Sequence, residues 1–242
     1  MIEDAQEIFE YLPISFRNQS EQEYVNFLWE TFVTNYEDKK YPFAFLAYHM
    51  LFMSLVYFEI WQIKANHGGD FEKAMVGFNK DMESELMQAS TPFTLWQVNE
   101  SSVFRFLKLI GMNNADIGEC TKLVKDRNDI AHSNGNIFYR NQRDIDLKID
   151  EILRCVEKIQ NHSANVLVSC YEKFLLESSD VESRENLEDE NQIREVLVYG
   201  NYLSPKDIFI VKSYDIQKLN GEKYFGNIES LANKLRDMYP DE

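Results

Sequence analysis

The sequence predicts an all-α protein, a helical bundle followed by a smaller helical C-terminal extension. Three observations predict it. Only five prolines and nine glycines punctuate 242 residues, so long segments run without turn signals. Apolar residues recur at three- and four-residue spacing through most of those segments. Hydrophobic residues make up 44% of the chain and aromatic residues 14%, enough to fill a packed interior.

The elements follow in order. Ser20-Glu21-Gln22-Glu23 has the spacing of a capping box, and Tyr24, Phe27, Leu28 and Phe32 continue it at helical spacing. Pro42 resets the chain before a long apolar helix, which Gly68-Gly69 should end. Asp70 is placed to cap the next helix, whose face carries Phe71, Ala74, Met75, Phe78 and Met82 until Ser90-Thr91-Pro92 interrupts it. A shorter helix is expected from Ser101 to Ile110, and another from about Ala115 to His132, stopped by Ser133-Asn134-Gly135. The spacing of Ile145, Ile149, Ile152, Val156 and Ile159 predicts a long helix from Gln142 to about Leu176, with a kink near Asn161-His162-Ser163. Ser204-Pro205 is a cap and first-turn pair, and Asn227 to Tyr239 reads as a last amphipathic helix. The resulting division is a bundle over residues 1–176, an acidic linker or exposed loop over 177–195, and a small helical unit over 196–242.

Composition narrows the function classes. Cys120, Cys155 and Cys170 lie in apolar helical patterns without zinc-site spacing, as reduced core residues of a cytoplasmic protein would. No cofactor or metal motif is evident. The N-terminus is acidic and lacks the order of a secretory signal. Phe43 to Ile63 is long and apolar enough to cross a bilayer, but His49, Ser54, Glu59 and Gln62 favour a buried bundle helix over a membrane span. A net charge of −16 repels nucleic acid in general, so any RNA contact must be local. Between Ser101 and Lys148 the balance reverses, with eight basic side chains against six acidic ones.

That stretch holds the most informative residues, Arg127-Asn128-Asp129-Ile130-Ala131-His132. At about 100° per residue, Ile117, Cys120, Leu123, Val124, Ile130 and Ala131 all fall within about 80° of Arg127. A guanidinium in the middle of an apolar arc is costly unless it meets a partner or an anionic ligand. His132 falls at the helix end, where the dipole favours its protonated form, and imidazole is suited to moving protons near neutral pH. On an ideal helix the two side chains point about 140° apart and are separated by about 7.5 Å along the axis. They converge if the helix end deforms, or if two copies meet across a two-fold axis.

R-N-D-I-A-H at the end of a late bundle helix resembles the Rx4-6H motif of the HEPN superfamily, helical nucleases of toxin–antitoxin, abortive-infection and CRISPR systems. The resemblance covers roughly Ser20 to Leu176. It implies a metal-independent endoribonuclease, a toxin or antiviral effector, whose active site is Arg127, Asn128 and His132, completed across a homodimer. It further implies that RNA is cleaved by 2′-hydroxyl attack, leaving a 2′,3′-cyclic phosphate and a 5′-hydroxyl. Lys122, Lys125, Arg140 and Arg143 are the nearby cations that would contact RNA. An antitoxin or another defence-system protein is the expected partner. Relatives regulated by tyrosine modification often carry a tyrosine two residues after the histidine; here that position is Asn134 and the nearest tyrosine is Tyr139, so that regulation is not expected.

Plainer readings stand beside these. Arg127 could be satisfied by a buried carboxylate such as Glu59, with His132 as a helix cap and Asp129 as a surface charge. His49 and Glu59 could support the site, or be a satisfied core histidine and a buried ion-pair partner. His67 reads as a cap, His162 as a surface residue, and Tyr41 to Trp61 as core. The acidic run reads as a solvated linker or an RNA mimic. The alternative function is a non-catalytic helical dimer that binds a partner protein.

Overall fold

The computed structural model describes residues 2–132 and 135–240. Ser133 and Asn134, named above for the helix stop and the tyrosine comparison, lie outside the described residues. The chain is 78% helical, and no strand occurs among the described residues. The α-helices are α1 (Ile2–Ala5), α2 (Gln19–Glu37), α3 (Tyr41–Asn66), α4 (Gly68–Ala74), α5 (Lys80–Gln88), α6 (Glu100–Val103), α7 (Asn114–Ala131), α8 (Gln142–Ser178), α9 (Asp189–Gln192), α10 (Pro205–Lys212) and α11 (Phe225–Met238).

The apolar segment forms α3, with Pro42 in its first turn, where a missing N–H costs nothing. It is the core helix. Leu51, Phe52, Leu55, Val56 and Ile60 are each at most 1% exposed, and α2, α7 and α8 pack around it. Each such side chain contributes about 1.5–3 kcal/mol on leaving water. That burial fits a soluble protein. The three cysteines are also buried and unbridged.

Several boundaries differ from expectation, each for a local reason. α2 begins two residues earlier than a Ser20 cap would allow, because the Asn18 side chain accepts from the Glu21 backbone N–H at 2.9 Å and takes the capping role. α3 ends before Gly68, with His67 at the junction, and the two glycines open α4. Asp70 therefore sits in the first turn of α4 and pairs with Lys73 at 3.0 Å. The helix expected to follow is broken in two, because Gly77 adopts φ +104° and Asn79 caps a new start. The expected helix from Ser101 shortens to α6 and continues as a 3-10 turn from Phe104 to Ile110. α8 runs unbroken through Asn161-His162-Ser163. The cap at Ser204 forms as expected and is completed as a full capping box by Asp207.

Two apolar clusters share α8. The first gathers the helices up to Ile159 together with Tyr202; the second joins the C-terminal half of α8 to Ile193 through Leu235. Within residues 177–195 the Arg184 side chain is only 2% exposed, paired with Asp189 at 2.5 Å and donating to the Ser178 carbonyl. A buried polar network connects the clusters. The Asp207 carboxylate accepts from Gln160 at 2.6 Å, Gln62 at 3.0 Å and the Ser204 backbone N–H at 2.9 Å. Glu59 accepts from Ser163 at 2.5 Å. Burial pushes both carboxyls upward, and the charge of Asp207 adds to the push on Glu59, which rises to about 8.

Candidate functional site

Arg127 lies on α7, and α7 begins where Asn113 accepts from the Ala115 and Asp116 backbone N–H groups at 2.8 and 3.0 Å. The apolar arc around it is buried on its N-terminal side, at Ile117, Cys120, Leu123 and Val124, but Ile130 is only half-buried and Ala131 is exposed, because α7 reaches the surface at its end. The guanidinium is neither fully buried nor free. Its side chain is 27% exposed, and it forms an ion pair with Glu100, in the first turn of α6.

Glu100 is the hub. One oxygen takes Arg127, and the other meets Nε2 of His49 at 3.2 Å. The His49 ring is 0% exposed, lies between Phe45 and Phe52, and leaves its Nδ1 without a partner. Burial pushes the Glu100 carboxyl upward, but the bond and charge of His49 and then of Arg127 outweigh it, so the group stays below the usual glutamate range. Glu59, offered from sequence as the acid for Arg127, instead accepts from Ser163 in the interior. Helical periodicity relates residues on one helix. It could not pair His49 on α3 with an acid 51 residues later.

A groove of about 640 Å³ opens beside this triad. Its apolar walls are Tyr24, Met50, Met53, Tyr57, Phe93 and Trp96, and Trp96 is 71% exposed. Tyr24 meets Phe93 edge to face at 5.3 Å. Glu100 and Glu21 supply carboxylates to the same groove. Glu21 is 3% exposed and is held by the hydroxyls of Thr91 at 2.5 Å and Tyr202 at 3.0 Å. Tyr57 lies close enough to feel both charges of the pair: burial, then Glu100, raises its phenol, and Arg127 works the other way. The aromatic stretch from Tyr41 to Trp61 is thus mostly core, as expected, although buried Tyr57 also lines the groove and Phe43 is exposed.

His132 is exposed at the end of α7, where its backbone N–H donates to the Asn128 carbonyl at 3.1 Å. Its ψ of 141° is extended, so the chain leaves the helical path at this residue. Asn128 is half-buried, one position round from Arg127. Tyr139, at φ +48°, packs its ring on Phe45 at 5.1 Å.

Lys122 and Lys125 lie about 140–160° around α7 from Arg127. They line a second groove, of about 780 Å³, between α7 and α8. Lys148 and Lys158 share that groove but are engaged, Lys148 with Asp126 at 2.8 Å and Glu151 at 2.7 Å, Lys158 with Asp116 at 3.1 Å and Glu119 at 2.5 Å. Arg140 is exposed and donates to the Ile137 carbonyl at 3.4 Å; Arg143 is exposed in the first turn of α8. The structure therefore brings Arg127 together with Glu100 and His49, and sets Lys122 and Lys125 on another face of the same helix.

Sequence reasoning missed Glu100, Tyr24, Tyr57 and Trp96. The signal for Glu100 was faint: an acid just after Asn99, a helix-capping residue. No family model matches the chain, and neither a curated protein nor a solved structure matches it.

Proposed function

We propose that the protein is a metal-independent endoribonuclease of the HEPN type, a toxin or antiviral effector acting as a homodimer. The observation that carries this reading is Arg127, a guanidinium set among the buried side chains of α7 yet 27% exposed, with exposed His132 at the end of the same helix. In this reading Glu100 and His49 fix the guanidinium, and its remaining N–H groups address a phosphodiester. The RNA 2′-oxygen attacks phosphorus as its proton leaves to a base, the bond from phosphorus to the 5′-oxygen breaks, and that oxygen takes up a proton. His132 serves in one of these transfers, and the partner protomer's copy in the other. Arg127 stabilises charge on the phosphoryl oxygens, and Asn128 orients the phosphate or the imidazole. The products are a 2′,3′-cyclic phosphate and a 5′-hydroxyl.

The test is cleavage of single-stranded RNA by the purified chain in EDTA. Wild type should yield those ends, while Arg127→Ala and His132→Ala should each lower the rate by about 10²-fold or more.

The ion pair itself favours a second reading, in which Arg127 and Glu100 only hold α6 against α7 and the protein is a non-catalytic dimer that binds a partner. The exposed side chains of Phe27, Phe43 and Trp96 supply apolar surface for such contacts. Under it, Arg127→Ala lowers thermal stability and wild type cleaves no RNA.

A further inference from the structure

We infer that the aromatic groove beside Arg127 is a nucleobase site that prefers guanine; the choice of an RNA base as its occupant rests on the nuclease reading above. Three observations lead there.

The first is shape. The groove is about 640 Å³ and is lined by the aromatic side chains of Tyr24, Tyr57, Phe93 and Trp96, of which Trp96 is 71% exposed and available to stack on a planar ring. Unpaired RNA bases are bound mainly by stacking of this kind, with their edges read by hydrogen bonds.

The second is polarity. The groove is rich in acceptors. The Ser54 hydroxyl donates to the Met50 carbonyl at 2.9 Å, and the Thr91 hydroxyl donates to Glu21 at 2.5 Å, so both protons are already committed. Glu100 is ionised and bonds one partner at each oxygen, which leaves lone pairs over. A base edge that meets Glu100 must therefore donate, whereas Asn18, Ser20 and the phenols of Tyr24 and Tyr57 also line the groove and can donate to acceptors elsewhere on the base. Guanine alone among the four bases offers two adjacent donors, N1–H and N2–H, on one edge. Adenine and cytosine set an acceptor beside their amino group, and uracil flanks its single donor with two acceptors. Each of those acceptors would face a carboxylate.

The third is position. Glu100 belongs to the groove and to the Arg127 pair at once, so a base bonded there brings its own phosphodiester within the reach of one nucleotide from the guanidinium.

Titration calorimetry of the full chain with GMP, IMP and AMP tests this, because the three share one phosphate and sugar. GMP should bind about tenfold more tightly than AMP, with IMP, which lacks the N2 amino group, between them. Trp96→Ala, a change at an exposed side chain, should weaken GMP by about tenfold and leave the melting temperature unchanged. Equal affinity for the three nucleotides, or GMP binding indifferent to Trp96→Ala, would overturn the inference. So would binding of tetramethylammonium at the groove without nucleotide selectivity, which would make it a cation site. Cleavage that depends on His132 without guanine selectivity would leave the nuclease reading standing and end this one. Guanine selectivity that Trp96→Ala abolishes, in a chain that cleaves no RNA, would do the reverse.

Discussion

Arg127 and Glu100, 27 residues apart and on different helices, form an ion pair whose second carboxylate oxygen is taken by His49. The pair converts an arginine that looked misplaced on an apolar face into one with a defined orientation. Its side chains are 27% and 21% exposed, intermediate between a screened surface pair and a fully desolvated one.

Breaking that pair from either side should cost stability. Glu100→Ala leaves the guanidinium half-buried without its acid and should lower unfolding free energy by about 1–3 kcal/mol. A double-mutant cycle with Arg127→Met, read by urea denaturation, should return a coupling of about 1 kcal/mol. Coupling indistinguishable from zero would mean the contact is incidental.

The same carboxylate gives an acid signature. Its acidity is held below the ordinary glutamate value of 4.5 by His49 and Arg127 against the upward push of burial. Stability from a depressed carboxyl is present above the unfolded value and is lost as pH falls through the folded one. Melting temperature should therefore fall below about pH 4.5 more steeply in wild type than in Glu100→Gln.

Glu59 predicts the opposite slope. Burial, with Asp207 nearby, raises it to about 8. Stability from a raised carboxyl is complete below the unfolded value and is lost as pH rises through the folded one. The melting temperature of wild type should decline between about pH 5 and about pH 9, and Glu59→Gln, which retains an acceptor for Ser163, should flatten that decline. Parallel profiles would remove Glu59 as its source.

Asp207 anchors the joint between the clusters. Asp207→Ala strands the Gln160 amide and the Ser204 N–H in the interior and leaves Gln62 only its bond to the Tyr202 carbonyl, and should cost on the order of 3 kcal/mol. Asp207→Asn, which keeps an acceptor oxygen, should cost less. Thermal denaturation by circular dichroism separates the two.

Much of this architecture was legible because it is local. The apolar run of α3, the stop before Gly111, the starts of α7 and α8 and the Ser204 cap are written in neighbouring residues. What failed was also local but degenerate: Asn18 outcompeted Ser20 as a cap, and the left-handed Gly77 broke a helix whose apolar spacing looked continuous. At the site, helical rotation foretold the burial of Ile117, Cys120, Leu123 and Val124 around Arg127, but not that Ala131 is exposed where the helix ends. Its acid did not, because the Glu100 contact depends on how α6 meets α7, and that is set by packing of distant segments. The groove was illegible for the same reason. Tyr24, Tyr57 and Trp96 come from three parts of the chain and look individually like core.

The most direct measurement of the central claim is end-group analysis of single-stranded RNA incubated in EDTA with wild type and with His132→Ala. The account predicts fragments ending in 2′,3′-cyclic phosphate and beginning with 5′-hydroxyl from wild type, and a loss of about 10²-fold or more in the variant. Intact RNA from both proteins, or equal cleavage by both, would contradict it.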